Sequence, residues 1–199
     1  MSGLWRTARR LGRQPRPRKG LPPMLLFTDP VRTPDPAAIA RRLPRGTGVV
    51  YRAFGGADAV EKGQALAAVC RRRGLMFLVG ADPGLAVRLG ADGLHLPERL
   101  TFRTGRIRAL RRRFRVTAAA HSLTAARRVA KAGAQAVVVS PVFPSHSRSA
   151  GRPLGVFALA RIVRGAGAPV YALGGVNART AMKLKMAGVA GLAAVEALA

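Results

Sequence analysis

Arg52, Ser145, Ser147, Arg148, Gly174, Gly175 and Asn177 are residue types that hold an anion. A guanidinium offers a planar fork of donors to a phosphate, and hydroxyls add further donors. Gly174-Gly175 lets the backbone approach a ligand closely, and Asn177 can cap a helix that follows. Ser145, Ser147 and Arg148 fall within one polar loop, Ser145–Arg152, expected to be mobile when empty and to close over bound phosphate. His121, in Ala120-His121-Ser122-Leu123, suits proton transfer because an imidazole titrates near neutrality. His95, inside Gly93-Leu94-His95-Leu96, reads as a packing residue, and His146 faces substrate or solvent. The three histidines with Glu98 lack a zinc spacing. Cys70, the one cysteine, follows Ala67-Ala68-Val69 on a predicted helix and reads as a small buried hydrophobe.

These residues need elements to carry them, and a repeated pattern supplies those. A polar helix-like run, a small-Gly-small stop and an apolar run recur around Gly90, Gly133 and Gly188. Glycine just past a helical pattern is the expected C-terminal stop. The stops lie 43 and 55 residues apart, so each interval holds two strand–helix units. The surplus of the second interval falls at Ser140–Leu154. Extending the step backward and filling the odd places predicts strands at Met24–Thr28, 49–51, Leu75–Val79, Gly93–Leu96, Phe114–Ala118, Ala136–Val139, Pro169–Leu173 and 191–195. Eight parallel strands alternating with helices close into a (β/α)8 TIM barrel, whose chemistry lies at the C-terminal strand ends. Every anion-holding residue named above falls at such an end.

The 199 residues suit one domain, and no apolar run is long enough to span a membrane. The basic N-terminus lacks an apolar signal core, so a cytoplasmic enzyme is expected. A formal net charge of +27, from 35 basic and 8 acidic residues, attracts polyanions. No recognition helix, RNA-binding aromatic motif or zinc spacing accompanies it, so a nucleic-acid partner is not the expectation. A basic solvated surface suits anionic substrates equally well.

Several stretches resemble the thiamine phosphate synthase/TenI family of small barrels. They are Leu25-Leu26-Phe27-Thr28-Asp29, Gly90 to Leu96, His121-Ser122-Leu123 with Ala125-Ala126, Val142 to Arg148, Pro153-Leu154-Gly155 and Ala172 to Asn177. The resemblance implies coupling of hydroxymethylpyrimidine diphosphate to a thiazole phosphate, with release of pyrophosphate and with Mg²⁺. It matches Arg52 to a diphosphate contact, Ser145, Ser147 and Arg148 to an anion-binding loop, and Gly174 and Gly175 to a thiazole-phosphate turn. Departures accompany it. Phe54 replaces a lysine, Gly80-Ala81 replaces an Asn-Asp pair, the second Mg²⁺ carboxylate is missing with only Glu98 nearby, Ala119 replaces a serine, and Glu196 stands where a serine is usual. The metal-diphosphate half of the site is therefore eroded, with Asp82 and Glu98 the plausible carboxylates left for a Mg²⁺ expected to bind weakly, if at all, without diphosphate. A metal-free TenI-like tautomerase using His121, or an inactive pathway relative, remains the alternative, and a polyanion-binding barrel the second.

Residues 1–23 read as a basic extension and 24–199 as the barrel. After the eighth strand too few residues follow for a covering helix. Ser2–Leu11 reads as a helix with Ser2 as its cap, Leu4, Trp5, Ala8 and Leu11 on one face, and Pro15 and Pro17 in the stiff connection beyond. That face is expected to cover exposed barrel surface on the chain itself or on a homodimer partner, the alternative being a solvated basic tail.

Overall fold

The computed structural model describes residues 3–11, 20–145 and 151–196. Eight parallel strands form a closed barrel in chain order: β1 Met24–Phe27, β2 Gly48–Tyr51, β3 Met76–Gly80, β4 Gly93–Leu96, β5 Arg115–Ala120, β6 Ala136–Val139, β7 Val170–Ala172 and β8 Gly191–Ala194. Each strand lies within two residues at either end of its sequence expectation. β1 and β8 pair directly, Leu25 opposite Ala193, which closes the ring.

The helices are α1 Gly3–Leu11, α2 Pro36–Arg42, α3 Ala59–Arg73, α4 Pro83–Arg88, α5 Thr104–Leu110, α6 Leu123–Lys131, α7 Gly155–Gly165 and α8 Ala178–Lys183. Their starts are chemically marked. Asp35 and Asp82 accept from Ala38 N and Leu85 N, each followed by proline at the first helical position. Ser122 caps α6 and Asn177 caps α8. The repeated stops Gly90, Gly133 and Gly188 all have φ between 61° and 87°, left-handed conformations that a glycine adopts at least strain.

Alternation along each strand makes two cores. Leu25, Phe27, Val50, Leu78, Val138 and Tyr171 point inward and fill the barrel, and a larger apolar layer lies between strands and helices. His95 packs inside the barrel as expected: it is buried, meets the Phe27 ring edge-on at 4.8 Å, and places Nδ1 3.0 Å from Thr117 Oγ1. Cys70 lies buried on α3.

α1 buries Leu4, Trp5, Ala8 and Leu11, the face the sequence spacing singles out, and packs on β1, β8 and α8. The chain itself thus covers the β8–β1 seam, and among the described residues no helix follows β8. Ser2, Pro15 and Pro17 lie outside the described residues.

Each of the eight α-helices carries Arg or Lys in its last turn, and only α3 has an acidic residue in its first turn. Cations there complement the helix dipole. Arg73, Arg108 and Arg127 donate directly to the carbonyls of Leu43, Gly133 and Gly165. Part of the positive charge therefore has a structural task.

Candidate functional site

A cavity of about 700 Å³ opens at the C-terminal strand ends. It brings together Arg52, His121, Ser145, Gly174, Gly175 and Asn177 from the sequence reading, and adds Arg32, Thr180, Lys183 and Glu196. His146, Ser147 and Arg148, with the expected loop closure, lie outside the described residues.

One wall is built on Asp29. The turn after β1 folds around it, with Oδ1 accepting from the backbone N–H of Val31 and Arg32, and Thr33 Oγ1 bridging its own backbone. Oδ2 takes the Arg32 Nη2 at 2.9 Å and has Arg52 Nη2 at 3.5 Å. Burial pushes the Asp29 carboxyl up, but the Arg32 hydrogen bonds and charge outweigh it and hold the group below its ordinary range.

Arg52 lies flat in the barrel mouth. Its Nε donates to Thr28 O at 2.7 Å, its backbone N–H to Thr28 Oγ1 at 2.9 Å, and its guanidinium sits over the Phe27 ring. Gly80 makes this possible, since a Cβ there would lie 3.2 Å from Arg52 Cγ. Burial lowers the Arg52 pKa to about 10, and Asp29 opposes that shift. Its Nη2 is buried and makes no hydrogen bond.

A second wall is the Gly174-Gly175 turn after β7. The Gly174 carbonyl accepts from Phe143 N and the Leu173 carbonyl from Val142 N, which lock the β7 end to the loop after β6. A Cβ on Gly175 would lie 2.3 Å from Pro144 O, so this close approach admits only glycine. Asn177 Oδ1 accepts from Arg179 N and Thr180 N, and Thr180 Oγ1 donates to Gly175 O. Asn177 therefore acts as the expected helix cap, and through Thr180 it fixes the glycine turn.

His121 sits between the walls. Its backbone N–H donates to Glu98 Oε2 at 3.0 Å, and its Nδ1 contacts the Ser140 carbonyl. A carbonyl only accepts, so Nδ1 is the nitrogen that carries a hydrogen, and in the neutral ring the lone pair lies on Nε2.

Asp82 and Glu98 do not line the cavity. Asp82 is the α4 cap, and Glu98 is held by Arg128 at 2.9 Å and by the His121 backbone. Both expected Mg²⁺ ligands thus have structural duties, and Asp29 is saturated by guanidiniums and N–H groups. Among the described residues no three His, Cys, Asp or Glu side chains gather as a metal site. The donors present do not fit the Mg²⁺ that the family resemblance implies. Glu196 is an unfavourable neighbour for a phosphate by itself, but Arg32 Nη1 stands 3.7 Å from it. The reading from sequence missed Arg32 and Lys183, although the Asp29-Val31-Arg32 turn could have pointed to the first.

Comparison with known proteins shows the family and supports the barrel fold. The family profile described as thiamine monophosphate synthase matches residues 26–198. A thiamine-phosphate synthase of Thiobacillus denitrificans is 37% identical over 174 residues, 83% of this chain and 82% of that protein. One from Alcanivorax borkumensis is 31% identical, covering 86% and 82%. Among solved structures, the thiamine phosphate pyrophosphorylase from Pyrococcus furiosus superposes with a TM-score of 0.76 at 25% identity, over 89% of this chain and 87% of that one.

Proposed function

This chain belongs to the thiamine monophosphate synthase family, and from that premise we propose that its pocket joins hydroxymethylpyrimidine diphosphate to a thiazole phosphate in thiamine biosynthesis. The observation that carries the reading is the pairing of two anion grips across one cavity, the Arg32–Arg52 wall and the Gly174-Gly175 turn. The small molecules it takes are the two phosphorylated precursors, and the setting is cytoplasmic. Among the described residues no helix is long and apolar enough to cross a membrane.

In this reading the diphosphate lies on Arg52 and Arg32, with Ser145 lining the same cavity. The thiazole phosphate takes the glycine turn. The bond from the pyrimidine methylene to the diphosphate oxygen breaks with its electron pair leaving on pyrophosphate. The thiazole nitrogen then supplies the pair for the new bond. Fixed guanidiniums stabilise the charge that develops on the leaving group, because they need no reorganisation as it forms. The test is purified protein with both precursors, assayed for thiamine phosphate. Product lost in Arg52→Gln supports the reading, and no product from the intact chain refutes it.

A second reading rests on His121. With Nδ1 engaged by Ser140, Nε2 is a base at the pocket wall, and a TenI-like tautomerisation of a thiazole carboxylate phosphate needs a proton shuttle with a phosphate grip. Tautomerase activity lost in His121→Gln, without coupling activity in the intact chain, selects it.

A further inference from the structure

We propose that this chain grips a diphosphate with the paired guanidiniums of Arg32 and Arg52 and needs no divalent cation to do so. For the substrate's own diphosphate this rests on the synthase reading; for inorganic pyrophosphate it stands alone.

A metal-assisted grip requires a carboxylate with lone pairs to give. Asp29 is the carboxylate between the strand ends, and both its oxygens are engaged, Oδ1 by two backbone N–H groups and Oδ2 by Arg32 with Arg52 beside it. Coordinating an ion there would release the guanidiniums and set a divalent cation against two positive charges. Asp82 and Glu98 hold a helix start and a salt bridge elsewhere. Asp29 restrains both guanidiniums and Glu196 stands 3.7 Å from Arg32, so the wall gains a surplus positive charge for an anion once Glu196 swings away.

The guanidiniums are also pre-set. Thr28 O fixes Arg52 Nε, the Phe27 and Phe54 ring centroids lie 5.6 and 5.2 Å from its guanidinium carbon, and Gly80 leaves room for the stem. The buried Arg52 Nη2 has no hydrogen-bond partner, which is costly for a donor unless a ligand oxygen meets it. Arg32 extends Nη1 towards Glu196, a half-exposed carboxylate. Glu196 therefore stands in as the anion that a diphosphate displaces.

The experiment is calorimetric titration of the full chain with inorganic pyrophosphate, once in excess EDTA and once in Mg²⁺. The clamp expects affinities that agree within about fivefold, whereas a metal-dependent site loses binding in EDTA by about tenfold or more. Binding that appears only with Mg²⁺ overturns the proposal. Arg32→Gln and Arg52→Gln should each weaken binding in EDTA by about tenfold, and retained affinity in either overturns the paired clamp. Glu196→Gln removes the competing anion and should tighten binding in EDTA by about twofold or more; unchanged or weaker binding would show that Glu196 does not compete and overturn its place in the clamp. Arg52→Lys and Arg32→Lys, which keep the charge but lose the fork, serve if a glutamine variant fails to fold. A chain that binds pyrophosphate in EDTA but makes no thiamine phosphate refutes the synthase reading alone. One that makes thiamine phosphate but binds pyrophosphate only with Mg²⁺ refutes the clamp alone.

Discussion

Phe54 covers Arg52: the guanidinium lies 5.2 Å from the centroid of a ring that is itself 70% exposed. An aromatic side chain left in water needs a reason, and holding a cation flat over the barrel mouth supplies one. Removing the ring in Phe54→Ala should weaken pyrophosphate binding by about two- to fivefold, the scale of an exposed cation–π contact. Melting temperature should stay nearly unchanged. Titration checks the first and calorimetric unfolding the second; unchanged affinity would make the ring a bystander.

Ala81 sits at φ 65° with no glycine to ease it, its N–H bound to His95 O at 2.9 Å. A Cβ in that conformation costs about 1–2 kcal/mol. Asparagine tolerates it, so Ala81→Asn should raise stability by up to about 1 kcal/mol in urea denaturation. A less stable variant would show that the turn is not strained.

His95 sets the acid side of the stability curve. Burial, then the Arg52 charge, pushes its pKa down to about 3. The folded protein keeps the ring neutral, while the unfolded chain takes up a proton below pH 6.5. Stability from this residue is therefore full above pH 6.5 and falls as pH drops towards 3, by at most about 1.4 kcal/mol per pH unit. Asp29, with its pKa lowered, adds a loss only below the ordinary carboxylate range. Denaturation of the intact chain and of His95→Gln between pH 7 and 5 separates the terms. The variant should show the flatter curve, and equal slopes would refute the assignment.

Trp5 is the only tryptophan and is buried at the seam between β1 and β8. Trp5→Ala should cost about 3–5 kcal/mol, the usual range for truncating a large buried aromatic side chain. Circular dichroism through a urea titration measures it. An unshifted midpoint would mean the helix covers nothing that matters.

Strand positions were legible because each Gly stop reports a backbone conformation that few other residues take, so Gly90, Gly133 and Gly188 marked the repeat before any contact was known. Arg52, His121, Gly174 and Asn177 were legible for a related reason, since each stands one to five residues past a strand. Arg32 was not, because its place in the pocket comes from the turn that Asp29 organises. Glu98 looked like an available carboxylate. The residue that engages it, Arg128, is 30 positions on, a distance no local pattern spans. Lys183 reaches the pocket from the last turn of a helix, where a basic residue otherwise reads as dipole compensation.

The helix that seals the seam has a consequence for biosynthesis. Leu4 and Trp5 precede every strand of the barrel in the chain, yet α8 and β8, against which α1 packs, follow all of its other strands. Until then the apolar face of α1 has no partner within the chain, and the open sheet presents two unpaired edges. Such long-range pairing slows folding and lengthens the time that sticky surface is exposed. The nascent chain is thus vulnerable to misassociation from the emergence of α1 to that of β8, and a holding chaperone would find its target on the apolar face of α1.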